Sequence, residues 1–326
     1  MIPLATSLTG PFPRPETVVA ATRDLDRGRA RPEEVEAAYR AAERELVGLE
    51  RELGLLPRTG GYLRWPDLFR PFASGWRGLE VGPLTRWFET NTFYRQPILR
   101  HPPERTPGAL SAWLPAATTS LPASEAKVIL PGPYTFAELL DNQSGETSLS
   151  LIHRLGRLLS EEIRELRSLG YGQFQFQEPL LVLRPPEGPA AESVRAAYRA
   201  LADALGPSES ALWTFFGDAA PTFPLLASLP VSYVGIDLAE TDPDALSAPQ
   251  GLPGLGLGCI DPRTTLVEEP AELARIVART VERLHPRRIT LGPGAALDLL
   301  PWPAAVRKLR MLPKARAEIV STGAAG

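Results

Sequence analysis

The sequence is poor in cysteine and in long apolar runs, and each shortage excludes a class of protein. The single cysteine, Cys259, leaves no partner for an intramolecular disulfide and no set of thiolates for a metal site. No apolar stretch reaches the ~18 residues that a membrane-spanning helix needs, so no span is expected. The first fifteen residues lack the basic and apolar regions of a signal peptide, and a cytoplasmic protein is expected.

Asparagine, lysine and excess charge of one sign are also scarce. Only two asparagines and three lysines occur in 326 residues, whereas proline occurs 35 times. Heat adaptation and a GC-rich genome explain this bias equally well. The formal net charge of −3 gives no reason to expect binding to nucleic acid. With 44% apolar and 22% charged residues, the chain has the composition of a folded globular protein.

Strand-like and helix-like segments alternate through most of the chain. Apolar residues at three- and four-residue steps predict helices, and short apolar runs ending at Gly, Pro or Asp predict strands between them. No G-x-G-x-x-G fingerprint follows the first strand, which disfavours a dinucleotide-binding fold. The pattern therefore predicts an α/β protein, a (β/α)8 TIM barrel. The helices are predicted at 31–55, 148–170, 190–206 and 269–284, and the strands at 127–133, 173–179, 211–218, 232–238, 255–263 and 287–294.

Nothing in the composition divides the chain into two units. We expect a single barrel domain over residues 1–326. Residues 60–120, rich in Pro, Gly and Trp, show little periodicity and are expected to form an irregular loop excursion at the barrel mouth. Residues 315–326 are expected to be a flexible tail.

Polar residues follow the predicted strands, and in a barrel the carboxyl ends of the strands share one mouth. The acids at these ends are candidate general bases: Glu178, Asp237 and Asp261. The same mouth, together with the excursion, supplies arginines for carboxylates and aromatic faces for a ring, which suits a small planar, anionic ligand. The candidate ligand-binding residues are Arg14, Arg64, Asp67, Asn91, Tyr94, Arg95, Tyr134, Gln177 and Arg263.

Each candidate also has a purely structural interpretation. Acids at strand ends often cap the helix that follows. Arg64 and Arg95 can pair with nearby acids such as Asp67 or Glu89, and the aromatic residues of 60–95 can be core. Cys259 lies inside a predicted strand and is expected to be a small buried apolar residue.

Five segments resemble, in order, the cobalamin-independent methionine synthase family, including its short single-barrel members. The first four are "GPFPRP" at 10–15, "TGGYLRWPDLFRPF" at 59–72, "WFETNTFYRQP" at 87–97 and "ILPGPYTF" at 129–136. The fifth, "FQFQEPLL" at 174–181, resembles the family's Gln-Ile-Asp-Glu-Pro-Ala-Leu strand. The resemblance spans about residues 5–312 and implies a (β/α)8 barrel.

Active members of that family transfer a methyl group from methyltetrahydrofolate, or in some short forms methylcobalamin, to homocysteine held on zinc. The metal converts the thiol to a thiolate. The positions that match the family's zinc ligands carry Thr214, Phe216, Asp237 and Gly294, and Gln177 replaces the family's substrate-binding Asp. No bound metal is therefore predicted, and the donor implied by the resemblance is a folate or a corrinoid.

Three functions remain open from the sequence. The chain is a non-catalytic partner of a separate zinc-bearing paralogous barrel, a zinc-free methyl or one-carbon transferase with another acceptor, or a metabolite-binding protein without turnover. The first follows from the resemblance to the zinc-free N-terminal barrel of long methionine synthases. The second requires one of the strand-end acids to act as a base at an accessible pocket that binds a pterin-like ligand or a small acid.

Overall fold

Seven parallel strands curl into one sheet with helices packed on its outer face. The computed structural model describes residues 2–247 and 252–323. In the sheet, the strand order is β1-β10-β9-β8-β7-β6-β4, and β2, β3 and β5 form a separate sheet. The strands are β1 (Leu4–Thr6), β2 (Arg77–Arg86), β3 (Phe93–Glu104), β4 (Lys127–Pro131), β5 (Asp141–Asn142), β6 (Gln173–Gln177), β7 (Glu209–Trp213), β8 (Tyr233–Asp237), β9 (Leu255–Ile260) and β10 (Ile289–Pro293).

The helices follow the strands along the chain, as βα units require. They are α1 (Glu16–Asp26), α2 (Pro32–Glu52), α3 (Arg70–Gly75), α4 (Pro115–Thr118), α5 (Pro133–Leu139), α6 (Ser148–Ser168), α7 (Leu180–Leu183), α8 (Gly188–Leu205), α9 (Phe223–Ser228), α10 (Pro270–Leu284), α11 (Trp302–Leu309) and α12 (Met311–Ser321). No helix in the two described ranges combines the length and apolar character that a membrane crossing requires.

The barrel closes through a short segment between β1 and β4. The backbone N–H of Leu56 donates to the carbonyl oxygen of Thr6 at 2.9 Å. On the other side, the N–H of Arg58 donates to the carbonyl oxygen of Glu125 at 2.9 Å. The N–H of Lys127 in turn donates to the carbonyl oxygen of Arg58 at 2.7 Å. Residues 56–58 therefore occupy the eighth strand position, and the predicted (β/α)8 barrel is confirmed.

The alternation in "QFQFQ" has a simple structural origin. Phe174 and Phe176 are buried in the main apolar core, and Phe176 packs edge-on against Tyr198 of α8 at a ring distance of 5.7 Å. Gln175 and Gln177 point the other way, because successive side chains alternate across a strand, and their amides form hydrogen bonds inside the barrel. This strand is buried on both faces, one apolar and one polar.

Trp213 fills the other half of the barrel interior. Its indole is fully buried within a small inner cluster and donates from Nε1 to the carbonyl oxygen of Gly294 at 2.8 Å. Glycines on the neighbouring strands leave the space for it, because a Cβ at Gly256 would lie 2.5 Å from Cζ3 of the ring. The inward-facing residues of β8 and β9 beside the indole are therefore glycines, which leave room for the large ring.

The excursion is not the irregular loop expected from the sequence. It contains a long antiparallel hairpin formed by β2 and β3, to which the short β5 adds in parallel. The sequence hid the hairpin because β2 is exposed at most positions and β3 contains three prolines, so neither strand shows clean alternation. The hairpin turn at 87–92 lies at the barrel mouth, beside the ends of β6 and β7.

The tail prediction also needs correction. Residues 315–321 belong to α12, and Ala315 and Ile319 of this helix are fully buried. The helix packs against α10 and β1 and so covers the outside of the barrel. Residues 324–326 lie outside the described residues.

Candidate functional site

Two adjoining cavities open at the mouth of the barrel. The inner pocket has a volume of about 70 Å³, and the outer cleft, of about 670 Å³, is separated from it by three shared aromatic residues. The inner pocket is lined by Pro11, Trp65, Pro66, Asp67, Leu68, Trp87, Thr92, Phe93, Tyr94, Gln177, Phe215, Phe216, Ala295, Ala296, Asp298 and Leu299. The outer cleft is lined by Thr85, Arg86, Trp87, Phe88, Glu89, Thr90, Tyr94, Leu139, Leu180, Leu183, Arg184, Phe216, Glu240 and Arg263.

The inner pocket combines aromatic walls with oxygen acceptors. Besides two indoles, its polar side chains are two carboxylates, an amide and two hydroxyls, and no lysine or arginine of the described residues lines it. Asp67 accepts the backbone N–H groups of Phe69 at 2.9 Å, Arg70 at 2.8 Å and Arg95 at 3.1 Å. Burial raises the pKa of Asp67 against the opposing effect of these bonds. The pocket is suited to a flat ring that carries N–H donors.

Gln177 is a predicted residue that lines this pocket and is almost fully buried. Its Nε2 donates to the carbonyl oxygen of Thr9 at 2.5 Å. Its Oε1 is buried and has no hydrogen-bond partner within residues 2–247 and 252–323. A buried, unpartnered acceptor at a pocket wall is a place for a ligand donor or a water.

Glu178 lies next to Gln177 in sequence but points away from both cavities. Its carboxylate accepts the backbone N–H groups of Tyr134 at 3.1 Å and Thr135 at 2.8 Å, and the hydroxyl of Tyr198 at 3.3 Å. These N–H groups belong to the first turn of α5, so Glu178 completes that helix terminus. Burial raises the pKa of Glu178 to about 7. The side chain is fully buried, and its assignment as a general base stays a prediction that this geometry does not favour.

The other two candidate bases are also engaged by local structure. Asp237 is buried, and its carboxylate accepts the N–H groups of Phe216 at 3.3 Å and Ala239 at 3.1 Å. Burial raises the pKa of Asp237 as well. Asp261 accepts from the backbone and side chain of Arg263 at 2.9 and 3.0 Å, at the rim of the mouth. Neither acid lines the inner pocket.

The four predicted arginines have partners of their own. Arg14 donates to the carbonyl oxygens of Leu63 at 2.8 Å and Trp65 at 3.0 Å and so holds the loop that carries Trp65. The guanidinium of Arg95 lies 3.4 Å from the carbonyl oxygen of Gly82. Arg14 and Arg95 therefore support the walls of the site.

Arg64 and Arg263 form ion pairs instead. Arg64 reaches Glu36 and Glu43 of α2 in two forked pairs at 2.7–3.1 Å, away from both cavities. Arg263 pairs with Glu240 and Asp261 and lines the outer cleft. Of the four predicted arginines, only Arg263 faces a cavity.

The remaining predicted residues divide between the two cavities and the surface. Tyr94 lines both cavities, and its hydroxyl donates to the carbonyl oxygen of Leu139 at 3.2 Å. Tyr134 is buried beneath the mouth and donates to the carbonyl oxygen of Arg184 at 2.7 Å. Asn91 is exposed in the hairpin turn, with its Oδ1 3.4 Å from Arg86. The structure thus brings together Asp67, Tyr94 and Gln177.

Sequence reasoning missed several lining residues. Asp298 lies in the inner pocket, and Arg86 and Arg184 line the outer cleft beside Arg263. Trp87 and Phe216 stand between the cavities, and Phe216 adopts a left-handed φ of +67°, an uncommon conformation for a bulky residue. Trp87 was within reach of sequence reasoning, because it belongs to the "WFETNTFYRQP" segment. No sequence pattern indicated that Arg86 and Arg184 line the cleft, since only the hairpin places Arg86 at the mouth.

The thiol-activating zinc implied by the resemblance has no matching ligand set at the strand ends. The hydroxyl of Thr214 donates to the carbonyl oxygen of Gly235 at 3.0 Å, and Phe216 and Gly294 have no donor side chain. Asp237 alone could bind a metal, and one acid does not make a zinc site. Within the described ranges, no group of three His, Cys, Asp or Glu side chains lies together as metal ligands would.

Comparisons with known proteins identify the family. The family model described as "Cobalamin-independent synthase, N-terminal domain" matches residues 60–284, more than half of the chain. A 5-methyltetrahydropteroyltriglutamate–homocysteine methyltransferase from Synechococcus sp. (strain JA-2-3B'a(2-13)) is 29% identical over 78% of this chain, which spans only 33% of that relative's length. A methionine synthase from Sulfolobus acidocaldarius is 23% identical over 94% of this chain and 89% of its own.

Solved structures show the same fold over nearly the full chain. A B12-independent methionine synthase from Shewanella sp. W3-18-1, in complex with selenomethionine, aligns with a TM-score of 0.75 at 17% identity, covering 99% of both chains. A protein from Listeria monocytogenes aligns with a TM-score of 0.74 at 16% identity, covering 98% of both. Taken with the family match over residues 60–284, the chain belongs to the cobalamin-independent methionine synthase family.

Proposed function

We propose that this chain is a ligand-binding barrel that holds a pterin-type methyl donor and acts beside a separate zinc-bearing barrel. The observation that carries the proposal is the pairing of an aromatic, acceptor-lined inner pocket with strand ends that lack a thiol-activating ligand set. The methyl acceptor would then be activated by the partner, and this chain would supply the donor.

The two cavities match the two parts of a folate. A pterin is flat and carries N–H donors on one edge, which suits the walls of Trp87 and Tyr94 and the acceptors of the inner pocket. The glutamate tail of a folate is anionic, and Arg86, Arg184 and Arg263 line the outer cleft that continues from the pocket. The aromatic walls and acceptors of the inner pocket favour a folate over a corrinoid.

Catalysis by this chain alone receives less support. A zinc-free transferase needs a base that reaches the ligand, and none of the three predicted acids lines the inner pocket. Glu178 is enclosed by α5 and α8, Asp237 is engaged by backbone N–H groups, and Asp261 is ion-paired. The carboxylates that do line the inner pocket are Asp67, which accepts three backbone N–H groups, and Asp298, which the sequence did not suggest as a base.

Titration with 5-methyltetrahydrofolate, followed by quenching of tryptophan fluorescence, tests the ligand. We expect saturable binding that Trp87→Ala weakens at least tenfold. Arg86→Ala should weaken a triglutamate form more than the monoglutamate. Arg77→Ala, at the far end of the same strand, should change neither, since Arg77 is exposed and lies outside the cleft. Absence of binding would refute the ligand assignment.

The partner is tested by adding a zinc-bearing barrel from the same organism. We expect a complex in gel filtration and faster methyl transfer to homocysteine than with the zinc-bearing barrel alone. A zinc-bearing barrel that is fully active by itself and never associates with this chain would remove the partner role.

A further inference from the structure

A chain of hydrogen bonds runs through the barrel interior from a buried lysine to the inner pocket. Lys127, only 2% exposed, donates from Nζ to Oε1 of Gln175 at 2.8 Å. Nε2 of Gln175 donates to the carbonyl oxygen of Thr9 at 2.5 Å. The same oxygen accepts from Nε2 of Gln177 at 2.5 Å, and Gln177 lines the inner pocket.

The donors and acceptors along this chain fix how each amide is turned. An amide oxygen can only accept, so Lys127 must be the donor and the nitrogen of Gln175 must face away from it. A backbone carbonyl has two lone pairs, and Gln175 occupies one of them. Gln177 takes the other, and its nitrogen faces Thr9 because a carbonyl oxygen can only accept. Its own oxygen is left without a protein partner in the described residues.

The charged side chains that line the inner pocket are Asp67 and Asp298, both acceptors, and the described lining contains no cation. The pocket as a whole therefore favours ligands that carry N–H donors, and Gln177 adds a neutral acceptor to it. The unpartnered Oε1 of Gln177 is buried, so leaving it without a donor costs more than leaving an exposed oxygen. A ligand that places an N–H against this oxygen should therefore bind more tightly than one that places a carbonyl there.

We propose that Gln177 selects for a ligand with an N–H donor at the end of its ring, and that Lys127 is a positioning residue: it holds Gln175 on one lone pair of the Thr9 oxygen and so limits Gln177 to the other. The inference rests on the proposed function, because its ligand is the pterin-type molecule of the inner pocket. It adds a specificity residue and an internal support that the family's zinc chemistry does not require.

A matched pair of ring compounds tests the selection. Pterin carries a 2-amino group, and lumazine carries a carbonyl in its place. Wild-type protein should bind pterin about tenfold more tightly than lumazine, the discrimination of one hydrogen bond at a buried acceptor. Gln177→Met should bring the ratio close to one, and Lys127→Met should reduce it. Lys308→Met removes the other fully buried lysine, which pairs with Glu268 at 2.7 Å, and should leave the ratio unchanged.

The positioning role has a ligand-free readout. The chain has only six glutamines, so selective ¹⁵N labelling of their side chains gives a simple amide spectrum. Lys127→Met should shift the amide signals of Gln175 and Gln177 and leave those of Gln96 and Gln143 in place. A Gln177 signal that does not move would overturn the positioning role. If Lys127→Met does not fold, Gln175→Met interrupts the same chain one step nearer the pocket.

The two measurements separate the inference from the proposed function. Equal affinity for pterin and lumazine in the wild type, or a ratio unchanged in Gln177→Met, would overturn the selection while the ligand class stands. Failure to bind either compound would count against the proposed function and against the selection, and the amide spectrum would then decide the positioning role by itself.

Discussion

The indole of Trp213 lies directly against the backbone of Gly256 in the barrel interior. A Cβ at position 256 would be 2.5 Å from Cζ3 of the ring and 2.9 Å from the Cα of Gly235. Real Cβ atoms do not approach so closely, so either the indole or the strand would have to move. Since Trp213 also donates to Gly294 at the mouth, such a movement would reach the inner pocket.

Gly256→Ala should therefore destabilise the protein by about 1–3 kcal/mol, the usual cost of overpacking a core. Urea unfolding measures this. Gly48→Ala is the control, because Gly48 lies in α2 with nothing within 4 Å of an added Cβ. That change should stabilise the helix by up to about 1 kcal/mol. Equal effects of the two substitutions would contradict the packing described for Trp213.

Glu178 should make stability fall as the pH rises from about 4.5 to 7. Its pKa rises from the usual 4.5 to about 7 on folding because of burial, so the folded state binds its proton more tightly than the unfolded state in this range. The wild-type protein should lose on the order of 3 kcal/mol of unfolding free energy across this range, and Glu178→Gln should remove that loss. Unfolding free energies at pH 5 and pH 7.5 measure it, with exposed Glu33→Gln as the control. An unchanged slope in Glu178→Gln would show that the buried carboxyl is ionised throughout.

Lys127 should act in the opposite sense at higher pH. Burial lowers its pKa from 10.5 to about 7, while the charge of Glu50 opposes the shift. The unfolded state then binds more protons between pH 7 and 10.5, so stability should rise with pH over this range. Lys127→Met should abolish that rise, whereas Lys314→Met, at an exposed position, should not. A parallel pair of stability curves for wild type and Lys127→Met would show that the buried ammonium stays charged.

Arg64 should matter for stability and not for the ligand. Its side chain is the cation beside Glu43, which is only 3% exposed, so Arg64→Ala leaves a buried carboxylate without its partner. The expected loss is about 3 kcal/mol in unfolding free energy, with unchanged ligand affinity in a protein that still folds. Arg40→Ala breaks the more exposed pair with Glu36 and should cost less than about 1 kcal/mol. A ligand affinity that falls in Arg64→Ala would restore the role suggested by the sequence.

The sequence was most informative where the chain repeats a simple unit. The start of β6 at Gln173 and the start of α6 at Ser148 follow from local periodicity, because strands and helices of a barrel are buried in regular patterns, whereas β6 ends at Gln177, two residues before the predicted end. The arginines were harder, since the partners of Arg64 come from another helix and no local pattern reveals them. Glu178 was placed at the right strand end, but its orientation depends on the position of α5.

The Pro-rich excursion marks the limit of sequence reasoning in this chain. Its two strands form hydrogen bonds with each other, and their buried positions do not alternate regularly with exposed ones, so the binary pattern that predicts a buried strand is absent. Arg86 lines the outer cleft because the hairpin ends at the barrel mouth, and no local sequence pattern predicts where the hairpin ends.

The hairpin has a consequence for how such proteins can diversify. Within the described residues, β2 and β3 pair with each other and with β5, and with no strand of the barrel sheet. Its turn nevertheless supplies a wall of both cavities through Trp87. Substitutions in the turn can therefore alter the cavity walls while the register of the eight-fold closure stays intact. The strands themselves are less free to change, because Leu79, Tyr94 and Leu99 are packed into the main core. The hairpin thus combines an anchored base with a variable tip, and residues 87–92 are the place to redesign the mouth.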